Sequence, residues 1–238
     1  MALILSIETS ENTCSVALGD KYELIATLEI ADERSHSSML TVLINNLFQQ
    51  KNIDIKDLDA IAISMGPGSY TGLRIGVSVA KGISYALNIP IVALNTLQIL
   101  CTSLVESGYI RKLKINDENI LLCPMLDARR MEVYNGFFNV KAEPISKISA
   151  TIIDSGSFKN ELDTCKVFFF GSGSEKCKDI IENGNANFVL GFKPHAGNMI
   201  SLAYDLFLQK KFEDNAYFEP FYLKDFVATI PKRKVLSF

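Results

Sequence analysis

Histidine is scarce in this 238-residue chain: only His36 and His195 occur, in neither a His-x-x-x-His nor a His-Glu-x-x-His spacing. A catalytic metal ordinarily takes three protein ligands, with further groups behind them to orient them, so metal chemistry is not expected. The five cysteines (Cys14, Cys101, Cys123, Cys165 and Cys177) are odd in number, scattered and never spaced Cys-x-x-Cys. Several lie in apolar runs, where a free thiol behaves as a small hydrophobe, and this points to a reduced, cytoplasmic protein. No run approaches the roughly 20 apolar residues of a membrane span. The apolar start, Met1 to Ile7, has no basic leader and meets Glu8 at once, so a cytosolic location is expected.

Basic clustering is missing too. The net charge is −3, and the one short run is Lys232-Arg233-Lys234. Gripping nucleic acid unaided rests on clustered Lys and Arg. RNA contact is therefore expected only through a larger assembly, with the basic run read as a solvated tail.

Of what is present, 48% of the residues are hydrophobic and 21% charged, enough for the core of one large domain or two modest ones. The N-terminal half reads as strands Leu3–Ile7, Cys14–Leu18 and Tyr22–Ile30, with Gly19-Asp20 as a hairpin turn. A polar segment, Asp32 to Ser38, leads to a helix over 39–50, whose apolar positions Met39, Leu40, Leu43, Ile44, Leu47 and Phe48 make one stripe. Ser35 or Ser38 is placed to cap it. Strand Ala60–Ser64, a Gly-rich loop, a helix from Thr71 to Leu87 and strand Ile91–Leu94 follow.

The C-terminal half repeats that order. Strands Ile120–Met125, Glu132–Asn139 and Ile148–Ile153 precede a short helix at 157–162 and strand Val167–Phe170. A helix over 175–182, a brief strand at 188–190 and a longer helix over 195–210 complete it. The fold class is therefore α/β: two tandem actin-like (ribonuclease H-like) domains, each a mixed sheet flanked by helices. This is the layout of the actin, sugar kinase and Hsp70 superfamily. The expected division is 1–105 and 106–238, with the last segment able to return to the first domain. The cleft between such domains is a common ligand site.

The most specific stretch is Gly66-Pro67-Gly68-Ser69-Tyr70-Thr71-Gly72-Leu73-Arg74-Ile75-Gly76, which follows a buried strand and enters a helix. That setting can bind an anion on backbone N–H groups, but no Lys-Ser/Thr pair ends it, so it is not a Walker loop. A tight turn explains Gly66 and Gly68 equally well. Gly72, Gly76 and Gly82 each cost about 1 kcal/mol relative to Ala inside a helix. Gly72, Gly76, Ala80 and Ser84 fall four apart, forming one smooth ridge that another backbone can approach closely. Either the protein's own sheet or a second chain fills that space.

The Gly66–Gly76 run closely resembles the GPGSFTGLRIG signature of the TsaB (YeaZ) family. Other matching pieces are Ile7-Glu8-Thr9-Ser10, His36-Ser37, Asp127-Ala128-Arg129, Phe170-Gly171-Ser172-Gly173 and Pro220-Phe221-Tyr222-Leu223-Lys224. They lie in order along nearly the whole chain. The resemblance implies a non-catalytic scaffold for threonylcarbamoyl transfer to the adenosine beside the anticodon, in tRNAs reading codons that begin with A. It implies pairing with a catalytic TsaD-type paralogue, a TsaE-type ATPase joining them, homodimers when free, and tRNA contact only through the complex. The implied partner surface is built from the two N-domain helices: Met39, Val42, Leu43 and Asn46 on the first, and Gly72, Leu73, Gly76, Val77, Ala80 and Ser84 on the second.

A nucleotide-binding fold of this class would place acidic residues near Mg²⁺ and glycine turns on the phosphates. The candidate nucleotide or anion residues are Thr9, Ser10, Gly66, Gly68, Ser69, Asp127, Gly171 and Gly173, with ATP or ADP as a candidate ligand at the partner interface. The second-domain segment, Asp127-Ala128-Arg129-Arg130-Met131-Glu132, is too bulky for a phosphate loop. No catalysis by the chain alone is expected; the alternative is an ATP-dependent small-molecule kinase or ATPase of the same superfamily.

Overall fold

The computed structural model describes residues 2–31, 36–114 and 119–223. Ser35 and the Lys232-Arg233-Lys234 run lie outside the described residues. Five strands form the first sheet: β1 (Leu3–Glu8), β2 (Cys14–Asp20), β3 (Glu23–Ile30), β4 (Ala60–Gly66) and β5 (Ile91–Asn95). Their order is β3-β2-β1-β4-β5. β1 to β3 form an antiparallel meander, and β4 and β5 run parallel to β1, each entered from a helix.

The first hairpin differs from expectation. Gly19 and Asp20 are still in β2, and Lys21, at φ 55°, takes the left-handed turn position. Gly19 is small for another reason: a Cβ there would lie 2.6 Å from Ile200 Cγ2.

Helices α1 (His36–Lys51) and α2 (Tyr70–Leu87) cover one face of this sheet. Leu40, Leu43 and Leu47 of α1 and Val77 of α2 pack there against Leu5, Ile7, Val16 and Ile63. The opposite face carries small residues, Ala17, Ala60 and Ala62, and is covered from the far end of the chain. There a 3-10 turn, Ala196–Met199, and α6 (Ile200–Leu208) bring Met199, Ile200 and Ala203 onto it.

The second sheet has the same topology, β10-β9-β6-β7-β8. Its strands are β6 (Ile120–Asp127), β7 (Glu132–Asn135), β8 (Ser149–Ile152), β9 (Lys166–Phe170) and β10 (Ala186–Val189), with short helices α4 (Tyr109–Leu113) and α5 (Lys159–Leu162). Its core includes a helix absent from the sequence expectations, α3 (Thr96–Glu106), whose Leu97, Leu100, Cys101 and Leu104 pack on Leu122, Phe168 and Phe170. Each sheet is thus packed by a helix from the opposite half of the chain. The helix expected over 175–182 is only a 3-10 turn, Glu175–Cys177. Its apolar residues, Cys177, Ile180 and Ile181, are too few to repay a longer helix.

From Phe212 the chain crosses back over the first domain. Glu213 pairs with the edge strand at Ile91, and Lys81 Nζ donates to the carbonyls of Ala216 and Phe218 at 3.1 Å each. Phe218 is buried in the first core, and Phe221 N–H donates to Met65 O at 2.7 Å.

Candidate functional site

The C-terminal ends of β1, β4 and β6 meet at a cleft of about 660 Å³ between the two sheets. Ser10 and Glu11 form one wall, Pro67 to Thr71 another, and Leu126 to Arg129 with Ser172 a third; Phe221, Tyr222 and Leu223 close it. Of the candidate nucleotide residues, the fold brings Ser10, Gly68, Ser69 and Asp127 to this cleft. Thr9 is buried beneath α2, and Gly66 lies under Phe221, whose carbonyl oxygen a Cβ would meet at 2.7 Å. Gly171 and Gly173 pack against the β6 backbone, where a Cβ would come within 2.4 Å of Met125 O and 2.9 Å of Leu126 O respectively.

The polar groups of the Gly-rich loop are engaged with the protein itself. Ser69 N–H donates to Ser10 O at 2.6 Å, and Gly72 N–H donates to the capping Ser69 Oγ at 3.3 Å. Gly68 is needed because a Cβ would sit 2.5 Å from Ser10 O. The loop therefore clasps the Ser10 turn with the Ser69 N–H, one of the groups that an anion would use.

Asp127 is likewise engaged. Lys176 Nζ donates to its carboxylate and, at 2.7 Å each, to the carbonyls of Arg130 and Glu132. Across the cleft Ser172 Oγ donates to Glu11 Oε1 and accepts from Asp127 N–H at 3.2 Å, joining the two domains. Burial raises the Glu11 carboxyl above its ordinary range, and the Ser172 hydroxyl opposes that shift. Glu11 and Lys176 are absent from the sequence expectations as site residues, and Ser172 enters them only within the Gly171-Ser172-Gly173 turn; the three meet only when the sheets do.

Beneath the cleft, Glu8 is fully buried, and Ser10 N–H donates to its Oε1 at 2.6 Å. Desolvation pushes its carboxyl up to about 7, opposed by the Ser10 amide and by the nearby Ser10 and Ser64 hydroxyls, which stand short of hydrogen-bond geometry.

The ridge on α2 faces inward. A Cβ on Gly72 would lie 2.1 Å from Thr9 O, and one on Gly76 2.3 Å from Thr9 Oγ1. Ala80 is fully buried, and Ser84 Oγ donates to Ile89 O at 2.6 Å. Leu43, Leu73 and Val77 are core residues. These positions are corrected to internal packing: Thr9, just past β1, fills the space beside Gly72 and Gly76, and Ser84 bonds within the chain. Among the expected partner residues, Val42 and Asn46 are exposed and Met39 half-buried.

The outward side of α2 is different. Gly82 has nothing within 4 Å of where a Cβ would be, and it borders a groove of about 750 Å³ between α1 and α2. Ile44, Phe48, Ile53, Val79 and Ile83 supply its apolar wall, and Thr41, Asn45 and Gln49 its rim.

The two histidines are structural. His36 is buried with Nε2 3.2 Å from Asn12 O, and His195 accepts from Gly197 N–H at the turn before α6. Among the described residues no three His, Cys, Asp or Glu side chains group as metal ligands, and no helix is long and apolar enough to cross a membrane.

Residues 29–232 match the family model described as TsaD: tRNA N6-adenosine threonylcarbamoyltransferase. The chain is 31% identical to a tRNA threonylcarbamoyladenosine biosynthesis protein TsaB of Bacillus subtilis, over 82% of this chain and 79% of that protein. It is 26% identical to the TsaB protein of Haemophilus influenzae, over 93% of each. A crystal structure of a Pseudomonas aeruginosa protein described as similar to peptidase YEAZ superposes with a TM-score of 0.80. It shares 24% identity and covers 94% of this chain and 100% of that one.

Proposed function

Because the chain belongs to the TsaB family of tRNA threonylcarbamoyladenosine biosynthesis proteins, we propose that it serves that modification as a non-catalytic scaffold bound to a TsaD-type transferase. Its place as a subunit in this biosynthesis follows from the family. The absence of turnover is the further step. One observation carries it: the cleft's Asp127 carboxylate is held by Lys176, and the loop amides of Ser69 and Gly72 are spent inside the protein. A Mg²⁺–triphosphate would need those same groups free.

The partner surface in this reading is the α1/α2 groove around Gly82, in place of the buried ridge; Met39, Val42 and Asn46 lie outside its lining. An apolar groove with a polar rim suits an amphipathic helix of the partner. A TsaE-type ATPase joining the pair, self-association of the free chain, tRNA contact through the assembly and a cytosolic location belong to the same proposal. Reconstitution of tRNA modification with the cognate components, with and without this chain, tests it. Dependence on the chain together with no Mg²⁺-dependent ATP hydrolysis by the chain alone is expected. Hydrolysis above background by the pure chain would refute the scaffold reading.

A further inference from the structure

Five hydroxyl or carboxyl oxygens close to the end of β1 are buried and have no hydrogen-bond partner among the described residues: Ser6 Oγ, Glu8 Oε2, Thr9 Oγ1, Ser10 Oγ and Ser64 Oγ. Ser6 and Glu8 share one face of β1, since side chains alternate along a strand. β4 runs parallel beside it with Ser6 opposite Ala62 and Ile7 opposite Ile63, which sets Ser64 next to Glu8. On the other side Ser15 is the β2 partner of Glu8. Thr96, at the start of α3, adds another buried hydroxyl without a partner. From the turn before α6, Ala196 N–H donates to Ser15 Oγ at 2.9 Å.

The titratable groups around Glu8 are Glu11 on the following turn, whose charge opposes a second anion, and Cys14 on β2, whose thiol is pushed up to about 12 by burial first and by Glu8 second. β4 presents Ser64 to Glu8, and the 196–199 turn presents Ala196 to the neighbouring Ser15. Among the described residues no Lys, Arg or His acts on Glu8.

We propose that Glu8 is a proton-bearing latch beneath the cleft: as a neutral acid it holds the Thr9–Asn12 turn in place, and its ionisation loosens that turn. A buried carboxylate with no counter-charge is strongly disfavoured. A proton on Oε2 removes the charge and turns an orphaned acceptor into a donor for the Ser64 or Ser10 hydroxyl, satisfying two orphaned oxygens with one bond. Oε1 keeps its bond from Ser10 N–H. The turn it anchors is the one that Ser69 N–H and Gly68 clasp from outside. Ser10 also lines the cleft, so displacing that turn would open an ionised Oε2 to water.

Folded and unfolded states differ between the ordinary carboxylate value, 4.5, and about 7. In that window the folded protein holds a proton that the unfolded chain has released, so stability falls as pH rises and levels off above about 7.

Carboxyl ¹³C NMR of the Glu-labelled full chain, with Glu8→Gln to assign the signal, tests the latch directly. The expected result is a midpoint near 7, with the Ser10 and Ser69 amide shifts following the same titration. In Glu8→Gln, whose amide can donate as the acid does, the melting temperature should lack the wild type's decline between pH 5 and 8. A Glu8 midpoint near 4.5 would overturn the proposal, and so would Ser10 and Ser69 amides that ignore the titration. A melting temperature at pH 8 that rises with KCl but not with choline chloride, only when Glu8 is present, would assign the site to a cation and also overturn it.

Discussion

Gly76 lies against Thr9 so closely that a Cβ on it would be 2.3 Å from the Thr9 hydroxyl oxygen and 3.0 Å from Ile63 Cδ1. This contact seats α2 on the first sheet and accounts for a glycine that intrinsic helix propensity disfavours by about 1 kcal/mol. Gly76→Leu should therefore destabilise the protein, by about 1–3 kcal/mol or more, as overpacking does. Circular dichroism melting measures it. A variant as stable as wild type would mean that α2 is free to move off the sheet.

Gly82, two turns further along, predicts the opposite. Its Cβ position is open, so Gly82→Ala should raise stability by about 1 kcal/mol through helix propensity alone. Gly82→Trp should stay folded yet fill the α1/α2 groove. Binding to a TsaD-type partner, followed by size-exclusion chromatography, should then fall at least tenfold. Undiminished binding would move the partner surface elsewhere.

Removing the Lys176 ammonium leaves three acceptors without it, Asp127 and the carbonyls of Arg130 and Glu132. Lys176→Met keeps much of the packing and should cost about 1–2 kcal/mol, because Asp127 is half-exposed and water replaces part of the lost interaction. Urea unfolding reads the cost. The same variant, unlike wild type, should show a Mg²⁺-dependent change at the cleft by NMR, since the Asp127 carboxylate then lacks its ammonium partner and keeps the Arg129 N–H.

His195 gives a pH dependence of the opposite sign to that of Glu8. Burial lowers its imidazole below the ordinary value, Glu29 at 3.4 Å opposes this, and Lys193 reinforces it. Between the lowered folded value and 6.5 the unfolded chain holds the extra proton. Stability is therefore present above 6.5 and is lost as pH falls through the folded value. His195→Asn keeps an acceptor for Gly197 N–H and should shallow the decline in melting temperature on acidification from pH 7 to 5. An unchanged decline would exclude His195 as its source.

Thiol reactivity should single out one cysteine. Cys14, Cys101, Cys123 and Cys177 are buried, and burial raises each of their thiols, whereas Cys165 is partly exposed. An aromatic disulfide reagent should modify about one thiol quickly in the native protein. Cys165→Ser should remove that phase; its persistence would show that a buried site opens readily.

The repeated strand and helix pattern was readable because each amphipathic element carries its own period in its residues. The Leu3–Ile7 and Ala60–Ser64 runs, the 39–50 stripe and the Gly66–Gly76 signature needed no knowledge of their neighbours. Asn95, which caps α3 by accepting from Leu97 and Gln98 N–H, and the stripe Leu97, Leu100, Cys101 and Leu104 were local signals too, although the sequence expectations hold no helix there. Even the smoothness of the Gly72–Gly76–Ala80–Ser84 ridge was plain. What presses on that ridge was not, because spacing records that something comes close and not whether it belongs to the same chain. Thr9 filled it. The same holds for Glu11, Ser172 and Lys176, which lie far apart in sequence and gain their meaning only where the two sheets meet. Tertiary structure alone assigned α6 to the first sheet and α3 to the second, since an apolar face specifies burial without naming the surface that buries it.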